Sequence, residues 1–158
     1  MKNKPWKNYV FWIVLTEAVG FLSGFLTREG TKIYAETITK PPLSPPAIVF
    51  PVVWVIMYAL MGFSAARVSL TRPSKNRRTA IYFYIAQLVF NFFWSIIFFN
   101  AQAFLFAFFW LVVLWGLILA AIIAFRKVDR LAGNLLIPYL VWVTFAGYLN
   151  LGVWLLNR

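Results

Sequence analysis

Five long apolar stretches dictate what this chain can fold into. They run over about residues 9–26, 47–66, 79–99, 103–125 and 134–156, and the last four contain no Asp, Glu, Lys or Arg. About 20 predominantly apolar residues in a helix cross the hydrocarbon core of a bilayer. Each stretch has that length, and none alternates apolar with polar residues as a membrane barrel strand does. Of the 158 residues, 63% are hydrophobic and 12% charged, against about 45–50% and 25% in soluble domains. A chain this short has too much surface to hide so many apolar side chains from water. The sequence therefore predicts an all-α integral membrane protein, one domain over 1–158 built as a five-helix transmembrane bundle.

The first stretch needs one distinction. Lys2, Lys4 and Lys7 precede it as in a signal peptide, and Ala18-Val19-Gly20 is a passable cleavage triplet. The apolar run continues to Leu26, past the length of a signal-peptide core, and Glu17 lies beside the supposed cut, so a retained helix is expected.

A net charge of +11 in a soluble domain would suggest nucleic acid. Here the basic residues lie between the apolar runs, where they set topology instead; no nucleic-acid partner is expected. With five spans, Lys2, Lys4, Lys7, Arg67, Arg72, Lys75, Arg77, Arg78, Arg126, Lys127 and Arg130 share one side, and Arg28, Lys32, Lys40 and Arg158 the other. The positive-inside rule then predicts a multi-pass protein of the cell membrane, N-terminus cytoplasmic, first loop and C-terminus outside. Thr71–Arg78 reads as a plain hydrophilic turn whose basic cluster suits anionic headgroups.

The composition also limits the chemistry. There is no Cys and no His, and the carboxylates are Glu17, Glu29, Glu36 and Asp129. Thiol chemistry, imidazole general bases and the usual metal ligands are absent, and no metal site is expected. No obligatory cofactor is expected either.

The connection over 27–46 is long for a compact bundle, and such loops are usually lids or spacers. Thr31–Thr39 suits a short helix. Beyond it, Lys40-Pro41-Pro42-Leu43-Ser44-Pro45-Pro46 makes a stiff segment that stops any helix before the second span. A rigid flap capping a ligand pocket at one mouth of the bundle is the expectation.

Inside the spans, three stripes stand out at helical spacing: Phe50, Trp54 and Tyr58; Gln87, Asn91 and Trp94; Trp142, Ala146 and Asn150. Amides in lipid-embedded helices turn toward other helices, so the stripes are expected to converge. Two readings compete for that interior: a packed core glued by amides, or a pocket for a flat apolar ligand walled by rings. Glu17 lies near the middle of the first span, where a charge costs about 2.5–3.5 kcal/mol on insertion scales, and is expected to be neutral and bundle-facing. Gly20 and Gly24 form a GxxxG match, a close-packing signal within the monomer or between copies. Pro51 and Pro138 fall in early turns, where their missing N–H costs little.

Several blocks resemble the translocator proteins, the TspO/MBR or tryptophan-rich sensory protein family, also described as peripheral-type benzodiazepine receptor-like. They are Lys40-Pro41 with Pro45-Pro46, then Trp54 and Tyr58-x3-Gly62; Gln87-Leu88-x2-Asn91-x2-Trp94-x3-Phe98-Phe99; and Pro138-Tyr139-Leu140-x-Trp142-x2-Phe145-Ala146-x2-Leu149-Asn150. They occur in family order across essentially the whole chain, and the match implies a bacterial-type member. The resemblance implies a five-helix bundle that commonly forms a homodimer and binds ligands beneath the first loop. Family ligands are protoporphyrin IX and haem, isoquinoline- and benzodiazepine-type drugs and, in animal members, cholesterol. By position, Trp54, Tyr58, Asn91, Trp94, Trp142 and Ala146 would line the site, with Phe50, Phe90 and Phe106 as weaker matches beside Gln87 and Asn150.

The chain departs from the family pattern in places. Leu43 stands where the family usually has Trp, and Ile33-Tyr34 replaces its Trp-Tyr. Tyr148 has no Lys or Arg within five residues after it, so the proposed cholesterol motif fails. A porphyrin suits ring-walled space, with its propionates near Arg28, Lys32 or Lys40. The lack of His favours the free porphyrin over axially ligated haem. The resemblance implies three candidate functions. The first is a tetrapyrrole-binding sensor or carrier. The second is light-dependent breakdown of protoporphyrin IX, with Trp54 and Trp142 as electron donors. The third is a transporter, against which the lack of inverted repeats and paired intramembrane charges argues.

Overall fold

A computed structural model describes residues 4–158, so Lys2 of the basic tally lies outside the described residues. The regular elements described are α1 (Pro5–Leu26), α2 (Arg28–Thr37), α3 (Val49–Ser69), α4 (Lys75–Ser95), a π-helical turn (Ile96–Asn100), α5 (Phe104–Arg126), α6 (Arg130–Asn134) and α7 (Ile137–Leu156). Among the described residues, five helical segments are long and apolar enough to cross a membrane: α1, α3, α4 with its π turn, α5, and α6 with α7.

The helices overrun the apolar stretches at their polar ends for identifiable reasons. Pro5 opens α1, where its fixed φ and missing N–H cost nothing. Thr71–Arg78 is only half a turn: the Ser74 hydroxyl accepts from the Arg77 N–H at 3.1 Å and caps α4, making Lys75–Arg78 its first turn. The stretch at 134–156 is preceded by α6, whose first turn is capped by Asp129 accepting from the Ala132 N–H at 2.9 Å.

Around the bundle, α1 packs against α3 and α4, α4 against α5, and α5 against α7, while α3 also meets α6. The α1–α3 seam is tight because Gly62 lacks a side chain: a Cβ there would lie 2.5 Å from the Ile13 Cα. Asn8 ties the same two helices by donating to the Ala66 carbonyl at 3.1 Å and the Ser69 hydroxyl at 2.6 Å. The Thr16 and Tyr84 hydroxyls are hydrogen-bonded between α1 and α4. The two glycines of the GxxxG match part company. A Cβ at Gly20 would strike the Tyr58 ring, whereas one at Gly24 would meet nothing.

On the basic side, Arg67 donates to Asp129 through Nε at 3.0 Å and Nη2 at 2.7 Å, locking α3 to the α5–α6 corner. Burial alone would raise the Asp129 pKa. The Ala132 N–H and the Arg67 guanidinium outweigh it and hold the carboxyl below its usual value.

The flap is a helix and a strap, both fastened. Helix α2 begins directly after α1, three residues earlier than the sequence suggests, and Tyr34 sets its ring against Phe98 and Phe99 at 5.4 Å. Asn100 donates to the Leu26 carbonyl at 3.1 Å, joining the π turn to the end of α1. The strap lies along the end of α7. Pro41 is buried against Gly152, Tyr148 donates to the Pro42 carbonyl at 2.7 Å, and Asn157 exchanges two hydrogen bonds with the Thr39 backbone. Just past these anchors Leu43 takes a φ of 67° and is 82% exposed. The left-handed region costs a non-glycine residue about 1–2 kcal/mol, and the Ser44 hydroxyl, donating to the Pro41 carbonyl at 2.7 Å, closes the turn around it.

Candidate functional site

The three stripes converge, but not all of their members join. Helices α3 and α7 scarcely meet backbone to backbone, and rings bridge the space between them. Trp54 lies 5.5 Å from Tyr58, 6.2 Å from Tyr139 and 6.4 Å from Trp142, centroid to centroid, and Phe50 lies 5.9 Å from Trp142. Ala146, one turn beyond Trp142, is buried and small, so this wall of α7 is flat.

Behind the rings runs a buried hydrogen-bond relay. Tyr58 donates to Asn91 Oδ1 at 2.7 Å, Asn91 donates to the Tyr139 hydroxyl at 2.7 Å, and Tyr139 donates to Gln87 Oε1 at 2.8 Å. Gln87 Nε2 then points at the Met61 sulfur, 3.7 Å away. A second relay lies nearer the flap: Trp94 donates to Asn150 Oδ1 at 3.1 Å, and Asn150 donates to the Phe104 carbonyl at 2.8 Å. Buried amides are costly unless paired, and here Gln87, Asn91 and Asn150 all find protein partners.

Among the described residues two buried side-chain polar atoms do not, the Ser23 hydroxyl on α1 and one atom at the rings. The indole Nε1 of Trp142 is buried with no hydrogen-bond partner, an arrangement that costs about 1–3 kcal/mol. It lies among the rings that separate α3 from α7.

Two expected members face elsewhere. Phe90 stacks on Trp110 at 4.4 Å, and the Trp110 indole donates to the Phe90 carbonyl at 2.8 Å, which turns that ring toward α5. Phe106 is 57% exposed on the outer face of α5, its ring 6.1 Å from Trp110. The three flap cations also differ from one another. Lys40 donates to the Ala35 carbonyl at 3.1 Å and lies 5.1 Å over the Tyr34 ring, so it caps the end of α2. Arg28 sits on the Phe25 ring and donates to that residue's carbonyl at 3.1 Å. Lys32 is exposed on α2. Glu17 is half-buried on α1, one turn from Gly20 and the Tyr58 ring.

Tyr139 is the hub that the stripes missed. It accepts from Asn91, donates to Gln87 and meets the Trp54 ring. Its signal was a fully apolar neighbourhood one turn before Trp142, where a phenol must find a partner. Two grooves of about 260 and 230 Å³ lie between helices, one along α5 and α7 at Phe108, Trp115 and Tyr148, the other along α4 and α5 at Phe83 and Lys127. Among the described residues no three His, Cys, Asp or Glu gather to hold a metal.

This arrangement has relatives. Residues 12–155 match the model of the TspO/MBR family. The chain belongs to the TspO/MBR family. Five apolar spans and this membership make it a multi-pass membrane protein. It is 37% identical over 156 residues to the tryptophan-rich protein TspO of Chlorobaculum tepidum, covering 98% of this chain and 99% of that one. It is 38% identical over 155 residues to the tryptophan-rich sensory protein of Cereibacter sphaeroides, covering 98% and 94%. The translocator protein of Bos taurus is 33% identical over 157 residues, covering 98% and 92%. The family relationship thus spans bacterial sensory and animal translocator proteins.

Proposed function

We propose that this TspO/MBR protein is a membrane sensor or carrier that holds a tetrapyrrole, protoporphyrin IX in preference to haem, among the rings between α3 and α7. The observation that carries this reading is the unpartnered indole N–H of Trp142, buried where side-chain rings bridge two helices. A flat macrocycle offers those rings a larger stacking partner and offers the indole a pyrrole-nitrogen or carboxylate acceptor. The rings of Trp54 and Trp142 swing aside as it enters, because they fill the space at present. The satisfied amides of Asn91 and Asn150 stay in place as the rigid back wall. Lys32, then Arg28, meets the propionates at the mouth, while Lys40 remains on α2. Isoquinoline- and benzodiazepine-type molecules, also flat and apolar, compete for the same place. The basic face lies in the cytoplasm and the flap outside.

Tryptophan-fluorescence titration with protoporphyrin IX in the dark tests this. The expected result is saturable quenching at one pigment per chain that an unlabelled isoquinoline reverses. Quenching that rises linearly with pigment, as for simple partitioning into the detergent, overturns the proposal.

A further inference from the structure

The groove between α4 and α5 lies at the other end of the molecule from the flap. Asn76, Thr79 and Lys127 line its outer end; Phe83, Ala120 and Ile123 line its inner part. The two helices form an antiparallel hairpin, so the first turn of α4 faces the last turn of α5. Phe83 is seven residues from Asn76, about 10 Å further along α4. The groove therefore has a polar, cationic mouth over an apolar trough.

The charges around it are uncompensated from within. The first turn of α4 carries Lys75, Arg77 and Arg78 and no acidic residue, at the positive end of its own helix dipole, where cations are unfavourable. Arg77 donates to the Thr71 carbonyl at 2.9 Å, and Lys75, Arg78 and Lys127 are exposed. Among the described residues, Glu17, Glu29 and Glu36 belong to α1 and α2, and Asp129 is already taken by Arg67. Lys127 lines the groove itself, and Lys75, Arg77 and Arg78 beside it add to a positive field that draws anions from outside. At this depth the concentrated anion is the phospholipid headgroup, which basic pockets between transmembrane helices bind.

We infer that the α4–α5 groove is a binding site for one anionic phospholipid, its phosphate at Lys127, Asn76 and Thr79 and one acyl chain along Phe83, Ala120 and Ile123. The site is independent of the interior assigned to the tetrapyrrole.

Native mass spectrometry of the detergent-purified protein, titrated with phosphatidylglycerol and with phosphatidylcholine of the same chains, tests the inference. One phosphatidylglycerol per chain is retained in preference to phosphatidylcholine. Lys127→Gln weakens its retention about fivefold, the worth of one cation near an anionic surface. Ala120→Phe fills the trough and weakens it as well, with the thermal midpoint confirming that this variant folds; Lys127→Gln, at an exposed position, decides the matter if it does not. Lys4→Gln, on the same face at the start of α1, leaves retention unchanged. Equal losses in Lys4→Gln and Lys127→Gln mean diffuse attraction, and equal retention of the two lipids means no headgroup selection; either overturns the inference. Displacement by millimolar inorganic phosphate that persists unaltered in Ala120→Phe identifies a phosphate-ion site and overturns it too.

Discussion

The relay through Asn91 predicts a measurable coupling between α3 and α4. Tyr58 donates to Asn91 Oδ1 at 2.7 Å, and both residues are almost fully buried. Asn91→Leu conserves volume but leaves the Tyr58 hydroxyl with no acceptor, at a cost of about 1–3 kcal/mol for a buried unsatisfied group. It also removes a donor to Tyr139, although that hydroxyl keeps its own acceptor in Gln87. Tyr58→Phe leaves the Asn91 oxygen unpaired and should cost about 1 kcal/mol. In the double variant neither orphan remains on that bond, so the two losses should not add. Interhelical hydrogen bonds in membranes average about 0.6 kcal/mol and reach about 1.7. The short, buried geometry here places the coupling in the upper half of that range. Reversible unfolding in mixed micelles, run as a double-mutant cycle on the four proteins, reads it directly. Strictly additive losses would refute the reasoning, because they would mean that the two groups do not meet in the folded protein.

Other consequences are as direct. Gly62→Ala should destabilise by about 1–3 kcal/mol, since its methyl meets the Ile13 backbone, whereas Gly24→Ala should change monomer stability by under about 0.5 kcal/mol; the same unfolding assay compares them. The Asp129 pKa is lowered in the folded protein. The stability it supplies is therefore present above the unfolded value and lost as pH falls through the folded one. Wild type and Asp129→Asn should thus differ at about pH 6, and the difference should shrink as pH falls below the usual carboxylate range, as followed by thermal midpoints. Tyr148→Phe removes the bond to the Pro42 carbonyl and should speed amide exchange in the strap about fivefold, a loss of about 1 kcal/mol, with the spans unaffected.

The spans were legible because length and apolarity alone identify a helix that crosses lipid. The stripes were legible too, since Trp54, Trp142 and the amide positions recur at helical spacing. Which neighbour each side chain meets was harder to read. A helix apolar all round has little contrast between faces, so only its spacing from Trp54 and Tyr58 set Phe50 apart from Phe90 and Phe106. Their rings go to Trp110 instead, a residue with no polar neighbour in sequence to mark it. Lys40 reads in sequence as a free cation at the mouth, but the end of α2 left carbonyls for it to cap. Gly20 and Gly24 read as one motif, yet only Gly20 meets another helix. Tyr139 escaped because its role depends on Gln87 and Asn91, which lie about 50 positions away in sequence.

In the function proposed above, a tetrapyrrole lies against Trp142 and Ala146. Its most direct test is protoporphyrin IX affinity in Ala146→Leu and Trp142→Phe beside the wild type, measured in the dark on proteins with unchanged unfolding midpoints. Ala146→Leu should lose at least about tenfold, 1.4 kcal/mol, by filling the flat wall of α7, and Trp142→Phe should lose less, through a reduced stacking face. Wild-type affinity in both variants would contradict that placement and leave the interior between α3 and α7 as packing alone.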